Sequence, residues 1–165
     1  MMIITAETRN LKDEKAMQIW LYDSNGAELA WDDDARRNMK INHFAVYVKD
    51  LEKTKDFYGK YFGAIPNTCY HNPKTGLKTY FLTFKCGGRL EIMSKPDITP
   101  EYVCDEHLGY IHLAFSTGSE DSVDILTNLL RNDGYTVYSE PRLTGDGYYE
   151  SCISDPDGNR IEIVV

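Results

Sequence analysis

Arg89-Leu90-Glu91-Ile92 and Arg160-Ile161-Glu162-Ile163 say the same phrase twice. The second copy closes the chain, and a glycine-bearing turn precedes each: Gly87-Gly88 in one case, Asp157-Gly158-Asn159 in the other. Strand alternation puts the two aliphatic side chains of each phrase on one face and the Glu, with the Arg, on the other. About fifty residues upstream of each Glu lies a strand-like run with one histidine, Ile41-Asn42-His43-Phe44-Ala45-Val46 and Tyr110-Ile111-His112-Leu113-Ala114-Phe115. Two His and two Glu at matched places in a duplicated unit decide how the rest of the chain is read.

The first unit runs from Ile41. Phe44, Val46 and Val48 face one way, and His43, Ala45 and Tyr47 the other. Asp50 is a good N-cap, after which Leu51, Thr54, Phe57, Tyr58, Tyr61 and Phe62 form an amphipathic helix that stops at Gly63. Extended runs follow around 64–70, 78–85 and 89–94, separated by Asn72-Pro73-Lys74-Thr75-Gly76 and Cys86-Gly87-Gly88. Residues 95–109, with Pro96 and Pro100, lack periodicity and read as a linker. The order then recurs: a strand over 110–116, the N-cap Ser119, and a helical stripe of Val123, Leu126, Leu129 and Leu130 ending at Gly134. Further strands follow at 135–139, 148–154 and 160–165, with Asp155-Pro156-Asp157-Gly158 as the turn before the last. Two tandem βαβββ modules, about 39–94 and 110–165, follow from this repeat. The fold class is α+β.

Residues 1–38 stand outside the repeat. Residues 12–22 read as a short helix without a clean apolar stripe, Asn25-Gly26 as a turn, and Trp31-Asp32-Asp33-Asp34 as an acidic patch. Two roles are open to this extension: packing on the domain or a partner subunit, or covering the active site with Trp20 and Trp31.

Composition narrows the classes. At 165 residues with 42% hydrophobic and 27% charged content, the chain is long and apolar enough for a proper core, which excludes wholesale disorder. A net charge of −8 argues against a nucleic-acid phosphate backbone as partner. No apolar run has the roughly 18–20 residues of a membrane span, and no signal-peptide pattern opens the chain, so the expected location is the cytoplasm. Cys69, Cys86, Cys104 and Cys152 form no C-x-x-C pair and are expected as reduced thiols.

A lone strand histidine is more often a hydrogen-bonded side chain than a ligand, and a Glu in a final strand is usually a solvated charge. Joint placement changes this. His43 and His112 each share a face with an alanine two residues on, Ala45 or Ala114, which leaves room beside the imidazole. Two modules related by a pseudo-twofold can bring His43, Glu91, His112 and Glu162 to one point. Two imidazole nitrogens and two carboxylate oxygens suit a divalent first-row metal: nickel, cobalt, zinc or manganese. His71, beside a turn, and His107, in the linker, do not fit and are expected to be solvated. Tyr80, Tyr148 and Tyr149 flank the ligand strands as cavity or packing residues. Arg89 and Arg160 either pair with carboxylates or bind an anionic substrate group.

The stretch His43-Phe-Ala-Val-Tyr-Val-Lys-Asp50, with Asp56-Phe57-Tyr58, Tyr61-Phe62-Gly63 and Asp155-Pro156-Asp157-Gly158-Asn159-Arg160-Ile161-Glu162, resembles the vicinal oxygen chelate superfamily. Within it, the likeness is greatest to glyoxalase I (lactoylglutathione lyase) and its relatives. It runs from about Met39 to Val165. The resemblance implies paired βαβββ modules forming a cup-shaped mixed sheet, the glyoxalase/bleomycin-resistance fold, with a metal inside the cup and a homodimer. It implies the ligand order His, Glu, His, Glu, which His43, Glu91, His112 and Glu162 match. Related epimerases often carry Gln at the second position, and fosfomycin-type thiol transferases use His, His, Glu. The implied activity is metal-dependent isomerisation of a small 2-oxoaldehyde–thiol hemithioacetal, or another vicinal-oxygen substrate, through an enediolate, with Glu162 as base and Glu91 the second candidate. The alternatives are an epimerase or thiol transferase of the same superfamily, or a metal-free drug-binding protein. One position departs: glyoxalase I typically has Arg four residues after its first ligand, to hold the glutathione carboxylate, and here Tyr47 stands there.

Overall fold

The computed structural model describes residues 5–9, 18–22, 28–29, 40–98 and 109–165. The chain divides into two compact units, Met1–Ile41 and Asn42–Val165. In the first, β1 (Thr5–Arg9), β2 (Gln18–Tyr22) and β3 (Glu28–Leu29) form an antiparallel sheet in that order. The helix expected over 12–22 is therefore corrected: residues 18–22 are a strand paired in register with β1. Ile19, Trp20, Leu21 and Tyr22 are β-branched, apolar or aromatic, a composition that fits a pleated surface better than a helix without a stripe. Residues 12–17, Asn25-Gly26 and the acidic patch after Trp31 lie outside the described residues.

The second unit holds both modules. In the first, Asp50 accepts a hydrogen bond from the Lys53 amide at 2.9 Å and caps α1 (Leu51–Phe62). Gly63, at φ 65°, ends it in the left-handed region that glycine adopts without penalty. Around this helix run β4 (Phe44–Tyr47), β5 (Ile65–Pro66), β6 (Tyr70–His71), β7 (Lys78–Thr83) and β8 (Arg89–Ser94). Their order is β4-β8-β7-β5, with β6 also paired to β7. First and last strands of the module, β4 and β8, are parallel neighbours; β7 and β8 are an antiparallel hairpin.

The second module repeats this. Ser119 caps α2 (Glu120–Asn132), and β9 (His112–Ser116), β10 (Val137–Leu143), β11 (Tyr149–Ser154) and β12 (Arg160–Val164) form a sheet ordered β10-β11-β12-β9. Again the first and last strands, β9 and β12, are the parallel pair. β10 runs longer than expected, through Pro141, because register shifts between Val137 and Arg142 interrupt the ladder where proline has no N–H to donate.

The twin phrases now have physical content. Leu90 and Ile92 are buried with Leu82, Leu51, Phe57 and Tyr58, while Ile161 and Ile163 are buried with Ile153, Val123 and Leu130. Each such aliphatic chain contributes roughly 1.5–3 kcal/mol of burial. This locks the register, since a one-residue slip would turn both aliphatics outward and both Glu inward. On α2 the expected stripe is amended: Leu129 is 44% exposed and Thr127 is fully buried instead. Thr127 can be buried because its hydroxyl donates to the Val123 carbonyl at 2.7 Å and meets the Ser151 hydroxyl at 2.6 Å.

Aromatic side chains join the modules. Phe115 packs on Phe62 at 4.4 Å and on Phe84 at 5.0 Å between ring centroids, and Tyr135 on Phe57 at 4.8 Å. Lys60 and Tyr61 both donate to the Asp133 carboxylate, which holds that carboxyl below its ordinary range. The Lys49 amide donates to Asp157 at 3.1 Å. Free thiols are found at Cys69, Cys86 and Cys152; Cys104 lies outside the described residues. No helix among the described residues is long and apolar enough to cross a membrane.

Candidate metal centre

Each module presents one His and one Glu side by side on the sheet face that its helix does not cover. In the first module Glu91 lies on β8 directly across from Ala45 on β4. His43, immediately before β4, brings Nε2 to 3.6 Å from the Glu91 carboxylate. Its other ring nitrogen meets the Asn42 side-chain oxygen at 2.8 Å. In the second module Glu162 on β12 lies across from Ala114 on β9, and Arg160 across from His112. Here Nδ1 of His112 is 3.1 Å from Glu162. The alanine beside each Glu keeps the space next to the imidazole open.

The antiparallel neighbour of each Glu differs between the copies. Phe81 stands beside Glu91 and Cys152 beside Glu162. The His43 ring meets Phe81 edge to face at 5.2 Å, and Arg89 lies over the same ring at 4.1 Å. Arg160 lies over Tyr138 at 4.9 Å and hydrogen-bonds Cys152. These neighbours went unremarked in the sequence, although counting back across each hairpin turn from the Glu reaches both.

Burial pushes the Glu162 carboxyl above its ordinary value; His112 opposes this, Glu150 adds to it, Arg142 opposes, and Asp146 adds. Arg142 is itself 3.8 Å from Glu150. The Cys152 thiol is pushed up, first by burial, with Arg160 pulling it down.

The expected four-residue cluster is brought together only in halves. Among the described residues no three His, Cys, Asp or Glu side chains gather at one point. Two shallow clefts, about 490 and 560 Å³, are lined by groups such as Lys53, Tyr135 and Asp155, or Glu52, His71 and Tyr80, and include none of the four. His71 is exposed, as expected, at the end of the short strand β6 beside the turn at 73–75; His107 lies outside the described residues. Tyr80 and Tyr149 are tie points, donating to Glu52 on α1 and Asp124 on α2 at 2.8 and 2.9 Å, while Tyr148 is 57% exposed.

Residues 40–163 match the family model for the glyoxalase/bleomycin resistance protein/dioxygenase superfamily. The chain belongs to that superfamily. Among curated relatives, glutathione transferase FosA of Serratia marcescens is 30% identical over 125 residues, covering 76% of this chain and 79% of FosA. The glyoxalase family protein of Enterococcus faecalis shares the fold with a TM-score of 0.66 at 24% identity, over 78% of this chain and 99% of that one. The trypanothione-dependent glyoxalase I of Leishmania major is also similar, with a TM-score of 0.61 at 21% identity over 77% and 86%. The paired βαβββ modules and their mixed sheets are the glyoxalase fold.

Proposed function

We propose that this protein is a divalent-metal-dependent isomerase of the glyoxalase I type, with His43, Glu91, His112 and Glu162 as its metal ligands. The observation that carries this is the separation of donors within each module, 3.6 Å for His43–Glu91 and 3.1 Å for His112–Glu162. Two donors each about 2.0–2.2 Å from one ion, at angles of roughly 90–110°, stand about 2.8–3.6 Å apart. Each module thus supplies half of a coordination shell, with nitrogen and oxygen donors that suit nickel, cobalt, zinc or manganese. A bound ion of this kind supplies a Lewis acid at adjacent substrate oxygens.

Both halves lie on exposed sheet faces. His43, Ala45, His112 and Ala114 are exposed, and Tyr47 beside them is 48% exposed. In this reading a symmetric dimer completes the site: a twofold axis lets the first-module face of one chain meet the second-module face of its partner. Two equivalent sites then form per dimer.

The substrate of this reading is a hemithioacetal of a small 2-oxoaldehyde, whose C–H beside the carbonyl is the acidic bond. A Glu162 carboxylate oxygen takes that proton as general base, leaving an enediolate, and returns it to the neighbouring carbon. Glu91, at the equivalent place, is the second candidate for this role. Ala45 and Ala114 leave the space in which the substrate oxygens sit.

A second reading, thiol transfer, is favoured by the identity to FosA. One panel separates the two. Protein supplied with nickel or manganese is assayed on methylglyoxal with glutathione and other thiols, and on fosfomycin with glutathione. Isomerisation of a hemithioacetal supports the proposal. Conjugation of fosfomycin without isomerisation replaces it with the second reading, and absence of metal binding removes both.

A further inference from the structure

Arg89 and Arg160 occupy equivalent places in the two modules, and their surroundings differ. Arg160 is engaged by Tyr138 and Cys152. Arg89 is held over the Phe81 ring at 4.1 Å, with the His43 ring edge-on to that same ring. No hydrogen bond or ion pair joins Arg89 to any other described residue. The side chain is nevertheless half-buried, on the open face, two positions from Glu91. A half-buried guanidinium gives up hydration, and among the described residues no acceptor claims its five fixed donors. The aromatic contact restrains the side chain while leaving those donors for a planar oxyanion.

We propose that Arg89 is the anion anchor of the site and that the substrate carries a carboxylate beside its vicinal oxygens. This rests on the metal-centre reading above. Arg89 and Glu91 are roughly 6.5–7 Å apart along the strand. A carboxylate about four bonds removed from the chelating oxygens, whose own oxygens lie roughly 5–6 Å from them when extended, reaches across most of that interval. The fork geometry of Arg89 meets both carboxylate oxygens, with Phe81 as the positioning residue beneath it.

The experiment is calorimetric titration of the nickel-loaded full chain with two hydroxamates that present the same vicinal oxygens. Acetohydroxamate is the uncharged-arm probe, and succinohydroxamate carries a carboxylate at the required reach. Wild-type protein is expected to prefer succinohydroxamate by about 10- to 100-fold, the range of a charge-assisted contact. Arg89→Gln is expected to cut this preference to less than about threefold while binding acetohydroxamate as before. Arg89→Lys restores only part of it, and Arg160→Gln keeps it whole. Unchanged far-UV circular dichroism and Tm show that the variants fold. The proposal is overturned if wild type shows no preference or if Arg89→Gln retains it. Failure of acetohydroxamate to bind wild type overturns the metal reading itself, and this inference with it.

Discussion

Asp155 starts the turn that delivers Glu162 to the sheet, and its replacement gives a worked test of how that turn is held. Its carboxylate is 2% exposed. One oxygen accepts from the Asp157 and Asn159 amides, each at 2.9 Å, and the other from the Asn159 side chain at 2.8 Å. Tyr58 also hydrogen-bonds it, and burial together with Asp155 raises that phenol's pKa. Asp155→Ala removes every acceptor at once. Bonds to a charged group are worth about 1.5–3 kcal/mol each, but water reaches the exposed Asn159 and replaces part of the loss. The net cost is about 2–4 kcal/mol. Asp155→Asn is different, because the amide oxygen still accepts both backbone bonds and the Asn159 amide can turn to receive the new donor. It is expected to cost less than about 1 kcal/mol at neutral pH.

The pH dependence has a definite sign. Burial raises the Asp155 carboxyl above its ordinary 3.8, against the pull of its hydrogen bonds. The folded state therefore binds the proton more tightly than the unfolded chain. That contribution is fully present below 3.8 and is lost as pH rises through the folded-state value. Asp155→Asn lacks this loss, so its stability relative to wild type rises over that window. Urea unfolding followed by circular dichroism, at several pH values, reads both effects. Equal midpoints for Asp155→Ala and wild type, or equal damage from Ala and Asn, would refute the reasoning.

Three further outcomes are expected. Glu162→Gln lowers kcat on the hemithioacetal by about 10²–10⁴-fold while retaining most bound metal, read by steady-state kinetics beside elemental analysis; normal turnover would move the base elsewhere. Cys152, half-buried and with its thiol pushed up, reacts with N-ethylmaleimide at pH 7.5 more slowly than exposed Cys86, as followed by mass spectrometry of the two peptides. Thr127→Val strands the buried Ser151 hydroxyl and costs about 1–3 kcal/mol, part of which Thr127→Val/Ser151→Ala recovers; additive losses in urea titrations would deny the coupling.

The modules were legible because duplication writes each register twice. Asp50 and Ser119 announced the helix starts, and the alternation of Leu90 and Ile92 with Glu91 announced which face looks inward. Residues 18–22 were misread because a few apolar residues without a stripe carry no period, and pairing with β1 decided their state. Thr127 was missed because its burial depends on Ser151, twenty-four residues away on another strand. The two His–Glu pairs were readable as pairs, since each belongs to one module's parallel ladder. That the two pairs do not gather at one point was not, because strand register says nothing about how one module packs on another. Phe115, Phe62 and Tyr135 decide that packing.

The most direct test of a metal site shared across a dimer is the metal content of mixed variants. His43→Ala and His112→Ala are purified singly and as a co-expressed, doubly tagged heterodimer, and divalent metal is counted by mass spectrometry. Wild type is expected to hold one ion per chain, each single variant almost none, and the heterodimer one ion per two chains, since one of its two sites keeps all four ligands. A heterodimer as empty as its parents would contradict assembly across the dimer. Single variants that keep a full complement of metal would contradict His43 and His112 as ligands altogether.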